Sequence, residues 1–179
     1  MKLRFEFISI LVVSILASSL IAPAKAAEET TVSAFATWQS TGRLFLTGEQ
    51  EALFVGGLNG LMFIEKGDGA LNTAKIVCPA TMVIRLTDGY MTGEGRCIMT
   101  GTQGNRVFGK WGCIGIALKG CKGIFELTAG TGRFRGISGG GVIILRTAIA
   151  KFVRKSTEKD AKGIGLGLIV WPKLTYKLP

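Results

Sequence analysis

The chain has 179 residues and a net charge of +10, and it contains 26 glycines, four cysteines and no histidine. So much glycine without a three-residue period excludes collagen. It also disfavours a mostly helical chain, because glycine costs up to about 1 kcal/mol relative to alanine inside a helix. The lack of histidine excludes Ser-His-Asp catalysis, Cys-His catalysis and histidine-bound zinc.

The first 26 residues have the pattern of a secretory signal peptide. Lys2 and Arg4 precede an apolar run over 7–21, and small residues follow up to Ala26. A basic end, an apolar run and an A-x-A site are typical of a cleavable signal. The alternative is an uncleaved membrane anchor, but the run of about 15 residues is shorter than the ~20 that a spanning helix needs. We therefore expect cleavage between Ala26 and Ala27, and a periplasmic or secreted protein.

Residues 27–179 have the size of one domain, and short apolar or alternating runs separated by turn residues predict an all-β fold. The predicted strands cover 32–39, 43–47, 52–55, 61–65, 81–87, 90–99, 106–116, 121–128, 141–154 and 164–177. Asp88-Gly89 between two such runs is a strong hairpin signal. The stretch 147–162 also has some helical character. Many short strands with regular turns indicate a sandwich or a closed barrel.

The last predicted strand alternates glycine with aliphatic residues over 163–168. Successive side chains of a strand point to opposite faces, so the glycines share one face. Two interpretations remain open. The glycines either allow tight packing inside a strongly curved barrel, or they leave a face open for a ligand.

The four cysteines predict disulfides, because an even number in an exported chain is typical of a disulfide framework. Zinc is the alternative, but the sequence has no Cys-x-x-Cys pair, and we expect no metal and no cofactor. Three connectivities are possible. Cys78–Cys97 with Cys113–Cys121 is favoured, because each pair brackets one predicted hairpin.

The segment Cys121-Lys-Gly-Ile-Phe-Glu-Leu-Thr-Ala-Gly-Thr-Gly-Arg-Phe-Arg-Gly-Ile-Ser-Gly139 resembles the allene oxide cyclase and dirigent superfamily, and most of all its uncharacterised exported bacterial branch. Gly93-Glu-Gly-Arg-Cys97 and Val107-Phe-Gly-Lys-Trp111 are also similar to that branch, whereas Ala129 stands where glycine is commoner. The resemblance implies an antiparallel barrel of about eight strands with a central pocket, and often a dimer or trimer. It implies no catalytic residues.

Carboxylates are the remaining source of acid–base chemistry, because a carboxylate inside an apolar barrel has a raised pKa. The candidates on or near strands are Glu65, Asp68, Glu94 and Glu126. Glu94 is the best of them, since glycines flank it and Arg96 follows at i+2. The alternative for Glu94 is a surface ion pair or a turn residue.

Aromatic side chains are candidates for a ligand pocket, because such pockets are mostly apolar. The candidates are Trp38, Trp111, Trp171, Phe54, Phe63, Phe108 and Phe125. Trp111 and Phe125 are expected to face a cavity, with Arg96 as a polar neighbour. The alternative for each aromatic residue is ordinary core packing.

The sequence favours a non-catalytic barrel that binds a small apolar ligand or an envelope component. A barrel cyclase or isomerase using an interior carboxylate, and a structural envelope protein acting through its surface, are the alternatives. The basic residues are spread along the chain with one mild cluster over 151–162. They indicate attraction to anionic envelope surfaces or a plain solvated surface, and no nucleic-acid-binding module is recognisable.

Overall fold

The computed structural model describes residues 29–67, 71–153 and 160–179. The predicted signal peptide and its cleavage site lie outside these ranges. The eight strands are β1 (Glu29–Leu46), β2 (Glu51–Ile64), β3 (Ala74–Arg85), β4 (Tyr90–Thr100), β5 (Arg106–Ile116), β6 (Gly120–Gly130), β7 (Ser138–Val153) and β8 (Ala161–Lys177). A single 3₁₀ turn, Gly132–Phe134, precedes β7. Within the described ranges no helix is long and apolar enough to cross a membrane.

The strands form one closed antiparallel barrel in which each strand pairs with the next along the chain. β1 pairs with β8 and completes the circle. Closure pairs each of the eight described strands on both sides along most of its length, and a strand without such partners would present an edge that recruits another chain. The prediction of an all-β fold and of a closed barrel is therefore confirmed.

The first two strands are longer than predicted. The sequence pattern split each of them at glycines, but β1 and β2 run unbroken and pair through Gly42 and Gly56. The ring of Phe54 covers the inner face of both glycines, so these residues serve packing and do not form a turn. β3 likewise begins at Ala74, seven residues before its predicted start.

The helical character predicted for 147–162 is wrong for the described part of that stretch. Thr147 to Val153 belongs to β7, and β8 begins at Ala161. A bulge between Thr147 and Ile149 shifts the register against β8. After the bulge the inward positions are Ala150 and Phe152, so the spacing from Thr147 is three and then two residues. The bulge thus interrupts the strict alternation expected of a strand, although the backbone is extended.

The core lies inside the barrel, and alternation along each strand separates it from the outer wall. On β6 the cysteine, phenylalanine and leucine at 121, 125 and 127 are buried, whereas the charged residues between them are exposed. Leu71, Phe134 and Ile137 are buried at the end where β3, β5 and β7 begin, and they close that end. Among the described residues no polar or charged side chain is fully buried apart from the indole groups.

Both favoured disulfides are confirmed. Cys78–Cys97 joins β3 to β4, and Cys113–Cys121 joins β5 to β6. All four cysteines are buried and point into the barrel. The bridges therefore fix two adjacent hairpins from the inside.

Candidate functional site

A pocket opens into the barrel at the end where β2, β4, β6 and β8 begin, and we call it the mouth pocket. Its volume is ≈ 70 Å³. It is lined by Trp38, Ser40, Phe54, Gly57, Leu58, Ala80, Met82, Ile84, Met91, Trp111, Ala117, Leu118, Cys121, Leu145, Thr147, Ala150, Phe152, Gly163, Ile164 and Gly165. None of these lining residues is ionisable. The pocket therefore offers an apolar environment without an acid, a base or a charged anchor.

Two tryptophans fill much of the barrel beneath the mouth, and glycines on the neighbouring strands make room for them. A β-carbon at Gly95 would lie 2.8 Å from Trp111 Nε1, and one at Gly93 would lie 3.4 Å from Trp111 Cζ3. Trp38 lies across β8 in the same way, with its Cζ3 3.2 Å from the β-carbon position of Gly165. The alternating glycines of β8 thus serve packing on their inner face, as the first of the two interpretations expected.

The indole N–H groups are the most unusual polar groups of the interior. Trp38 and Trp111 are each only 6% exposed, and none of the described residues accepts a hydrogen bond from their Nε1 or from that of Trp171. A buried donor without an acceptor costs about 1–3 kcal/mol. The rings of Trp38 and Trp111 line the pocket, whereas their Nε1 atoms are buried, and that of Trp111 lies against Gly95 of β4.

Two hydroxyl groups complete the polar part of the lining. Ser40 on β1 stands opposite Gly165 of β8, and Thr147 on β7 stands opposite Gly167. The Ser40 Oγ lies 3.0 Å from the β-carbon position of Gly165. The two hydroxyls therefore flank the glycine-containing stretch of β8 beside the pocket, whereas the other walls are apolar.

The three residues that were predicted to line a ligand pocket lie in three different environments. Trp111 lines the mouth pocket. Phe125 is fully buried and makes an edge-to-face contact with Trp171, at 5.5 Å between ring centroids, and it is not part of the lining. Arg96 is exposed on the outer wall and cannot reach a ligand inside the barrel.

Of the carboxylates that could have supplied acid–base chemistry, the three that the structure describes do not face the interior. Glu65, Glu94 and Glu126 are exposed, and Asp68 lies outside the described residues. On β4 the buried positions are those of Met91, Gly93, Cys97 and Met99, so the intervening Glu94 points outward. An interior carboxylate for a cyclase or isomerase is therefore not found among the described candidates.

Glu94 and Arg96 instead border a depression on the outside of the barrel, which we call the outer groove. It crosses β2 to β6 and has a volume of ≈ 710 Å³. It is lined by Val55, Gly56, Pro79, Ala80, Thr81, Glu94, Gly95, Arg96, Lys110, Trp111, Gly112, Ile124 and Glu126. Lys110 and Glu126 form an ion pair across it, at 3.0 Å.

The other aromatic candidates divide between the interior and the outer wall. Phe54 and Trp38 are buried and line the mouth pocket, and Trp171 is buried without lining it. Phe63 lies on the outer wall, where it stacks on Phe35 with 5.4 Å between centroids. Phe108 is also on the outer face of its strand, half-buried.

Several lining residues were not anticipated. Ser40 lies two residues after Trp38 on β1, so strand alternation alone would have predicted that its side chain points into the barrel. Alternation could not predict that Phe152 and Thr147 both line the pocket, because the β7 bulge breaks that alternation. Met82 and Met91 lie on the predicted Asp-Gly hairpin, but nothing in their spacing marks them as pocket residues.

No group of three potential metal ligands lies close together in the part of the chain that the structure describes. The sequence of the chain matches no protein-family model and no curated protein.

Proposed function

We propose that this protein is an exported, non-catalytic barrel that binds a small, mostly apolar molecule at its mouth. The observation that carries the proposal is the mouth pocket, whose lining holds no ionisable side chain. Ligand sites are typically concave and mostly apolar, with a few placed polar groups. The two buried disulfides suit a compartment outside the cytoplasm.

The size of the pocket limits the ligand. Its ≈ 70 Å³ is about half of the ~150 Å³ cavity that accepts a benzene molecule in an engineered protein interior. The pocket therefore takes the end of an alkyl chain, while the rest of the ligand lies at the mouth. Met82 and Met91 are flexible and can enlarge it, and Phe152, 37% exposed, forms part of the rim.

The polar groups of the lining add a hydrogen-bonding requirement. The Ser40 and Thr147 hydroxyls either donate or accept a hydrogen bond. A ligand with one carbonyl or hydroxyl group on an apolar body satisfies both the hydroxyl groups and the apolar walls of the lining. A fully ionised ligand would lose its hydration without gaining a counter-charge.

The proposal also keeps the resemblance to the allene oxide cyclase and dirigent superfamily. The resemblance implies an antiparallel barrel of about eight strands with a central pocket; the closed eight-stranded barrel supports it, and the pocket described above lies at one end of the barrel. A cyclase or isomerase activity lacks such support, because Glu94 lies on the outer wall.

A titration with a series of 1-alkanols from butanol to decanol tests the proposal. Trp38 and Trp111 line the pocket, so their fluorescence reports binding. Ala150→Phe places a ring in the pocket and is expected to weaken binding by about tenfold or more, equivalent to ~1.4 kcal/mol. Ala148→Phe is the matched control, because Ala148 is exposed on the same strand. Glu94→Gln is expected to leave binding unchanged.

Failure of every alkanol to bind up to its solubility limit would refute the proposal. Equal alkanol binding by Ala150→Phe and Ala148→Phe would refute the mouth pocket as the binding site. Native mass spectrometry of protein from its own source is the complementary measurement, since a reproducible extra mass that is lost on denaturation identifies the size class of the ligand.

A second candidate function is that of an envelope protein acting through its outer wall. Large apolar side chains are exposed there on neighbouring strands, among them Phe35, Leu166, Leu168 and Ile149. Together with the net charge of +10, they favour attachment to an anionic envelope surface. Release from membranes by moderate salt supports this candidate, whereas salt-independent solubility removes it.

A further inference from the structure

Two strand glycines have room for a side chain. A β-carbon at Gly112 would meet only the carbonyl oxygen of Gly93, at 3.9 Å, and one at Gly57 would have no neighbour nearer than 3.4 Å. Every other glycine within the eight strands would place its β-carbon 3.1 Å or less from another atom. Glycine weakens a strand, and glycine without a packing role marks a place that another backbone or a ligand approaches closely.

Gly112 belongs to a row of outward-facing residues where β5 meets β6, which we call the β5–β6 seam. Three directly paired positions make up the seam: Lys110 with Glu126, Gly112 with Ile124, and Ile114 with Lys122. Ile124 is 62% exposed and Ile114 is 56% exposed. A projecting isoleucine thus stands beside a glycine that leaves space, in the outer groove described above.

Two of the three pairs of the seam are complementary to themselves: Lys110 with Glu126, and Gly112 with Ile124. A twofold axis that runs along it, parallel to the strands, sets each residue of one molecule against the paired residue of the other. Lys110 then faces a glutamate, Glu126 faces a lysine, and Ile124 faces the space over a glycine. An interface around a twofold axis needs this reciprocity, because residue i contacts j and j contacts i.

We propose that a second copy of this chain docks along the β5–β6 seam. Ile124 of each copy packs over Gly112 of the other, and the two Lys110–Glu126 pairs join into a ring of four alternating charges. The charge pattern selects this occupant. A small anion would leave Glu126 without a partner role, and an apolar surface would desolvate the Lys110–Glu126 ion pair without supplying a further charge.

Sedimentation velocity over a range of protein concentrations tests the proposal, with both disulfides intact. The wild-type protein is expected to form a dimer. Gly112→Leu fills the space that Ile124 needs and is expected to raise the dimer Kd by about tenfold or more. Gly57→Leu is the matched control, because it is the same substitution at the other strand glycine with room, on β2 and away from the seam.

A charge reversal gives a second, independent readout. Lys110→Glu is expected to weaken the dimer, and the double variant Lys110→Glu with Glu126→Lys is expected to restore it, since the reversed pattern is again complementary to itself. A protein that stays monomeric up to about 1 mM, where association is weaker than ~4 kcal/mol, overturns the proposal. Equal effects of Gly112→Leu and Gly57→Leu also overturn it, as does failure of the double variant to recover the dimer.

Discussion

Replacement of Gly95 by alanine tests the packing that holds the tryptophan beneath the mouth pocket. The added β-carbon would lie 2.6 Å from the carbonyl oxygen of Pro79 and 2.8 Å from Trp111 Nε1. Carbon atoms in favourable contact are about 3.5–4.0 Å apart, so the methyl group overlaps both neighbours by most of an ångström. Pro79 cannot recede easily, because it follows Cys78, which is bridged to Cys97 inside the barrel.

Overpacking of this kind costs about 1–3 kcal/mol and occasionally more. We expect the upper end of that range, about 3 kcal/mol, because one of the two neighbours is backbone. For a domain of about 150 residues this lowers Tm by roughly 6–12 °C. Displacement of Trp111 is also expected to reduce the mouth pocket and weaken alkanol binding.

Gly112→Ala is the control for this prediction, because its β-carbon meets nothing nearer than 3.9 Å. Alanine in a strand is more stable than glycine by about 0.5–1 kcal/mol, so this variant is expected to equal or exceed the wild type. Calorimetry or urea denaturation of both proteins with intact disulfides gives the comparison. If Gly95→Ala is no less stable than Gly112→Ala, the close packing of Trp111 against β4 is not what makes glycine necessary.

Removal of the Cys78–Cys97 bridge by a double alanine substitution is expected to cost about 3 kcal/mol at 25 °C, because the bridge closes a loop with a sequence separation of 19. Urea denaturation measures this, and an unchanged midpoint would contradict it. Asp88 accepts hydrogen bonds from the Arg85 side chain and the Tyr90 backbone N–H, and these lower its pKa to about 2. The stabilisation from ionised Asp88 is therefore fully present above pH 3.8, the ordinary pKa of an aspartate, and it is lost as the pH falls through about 2. Carboxyl NMR should give a midpoint near 2 that rises in Arg85→Gln; a midpoint unaffected by that substitution would exclude the ion pair as its cause.

The sequence was sufficient for the features that depend on local pattern. Strand alternation, the Asp88-Gly89 turn and the cysteine spacing predicted an all-β chain with two bridged hairpins, and these predictions are confirmed. Trp111, which was expected to face a cavity, lies among the residues that line the mouth pocket. Each of these features needs information from only a few neighbouring residues.

The misplaced candidates show where local pattern was not enough. Glu94 was chosen because the glycines on either side leave space around it, and Arg96 because it follows Glu94 at i+2. Once Cys97 is known to point inward, alternation assigns both residues to the outer wall. Phe125 shares the inward face but is buried against Trp171, and that contact joins strands from two distant parts of the chain.

The sequence by itself determined the chemistry available to this protein. Without histidine, and with all four cysteines in bridges, neither side chain can serve as a catalytic base or nucleophile.

Only the tertiary structure decided which groups meet. Barrel closure brings Ser40 of β1 and Thr147 of β7 to either side of β8, although more than half of the chain separates them. The β7 bulge decides which residues beyond it face the pocket. Both results depend on strand register, because a shift of one residue would turn every side chain to the opposite face.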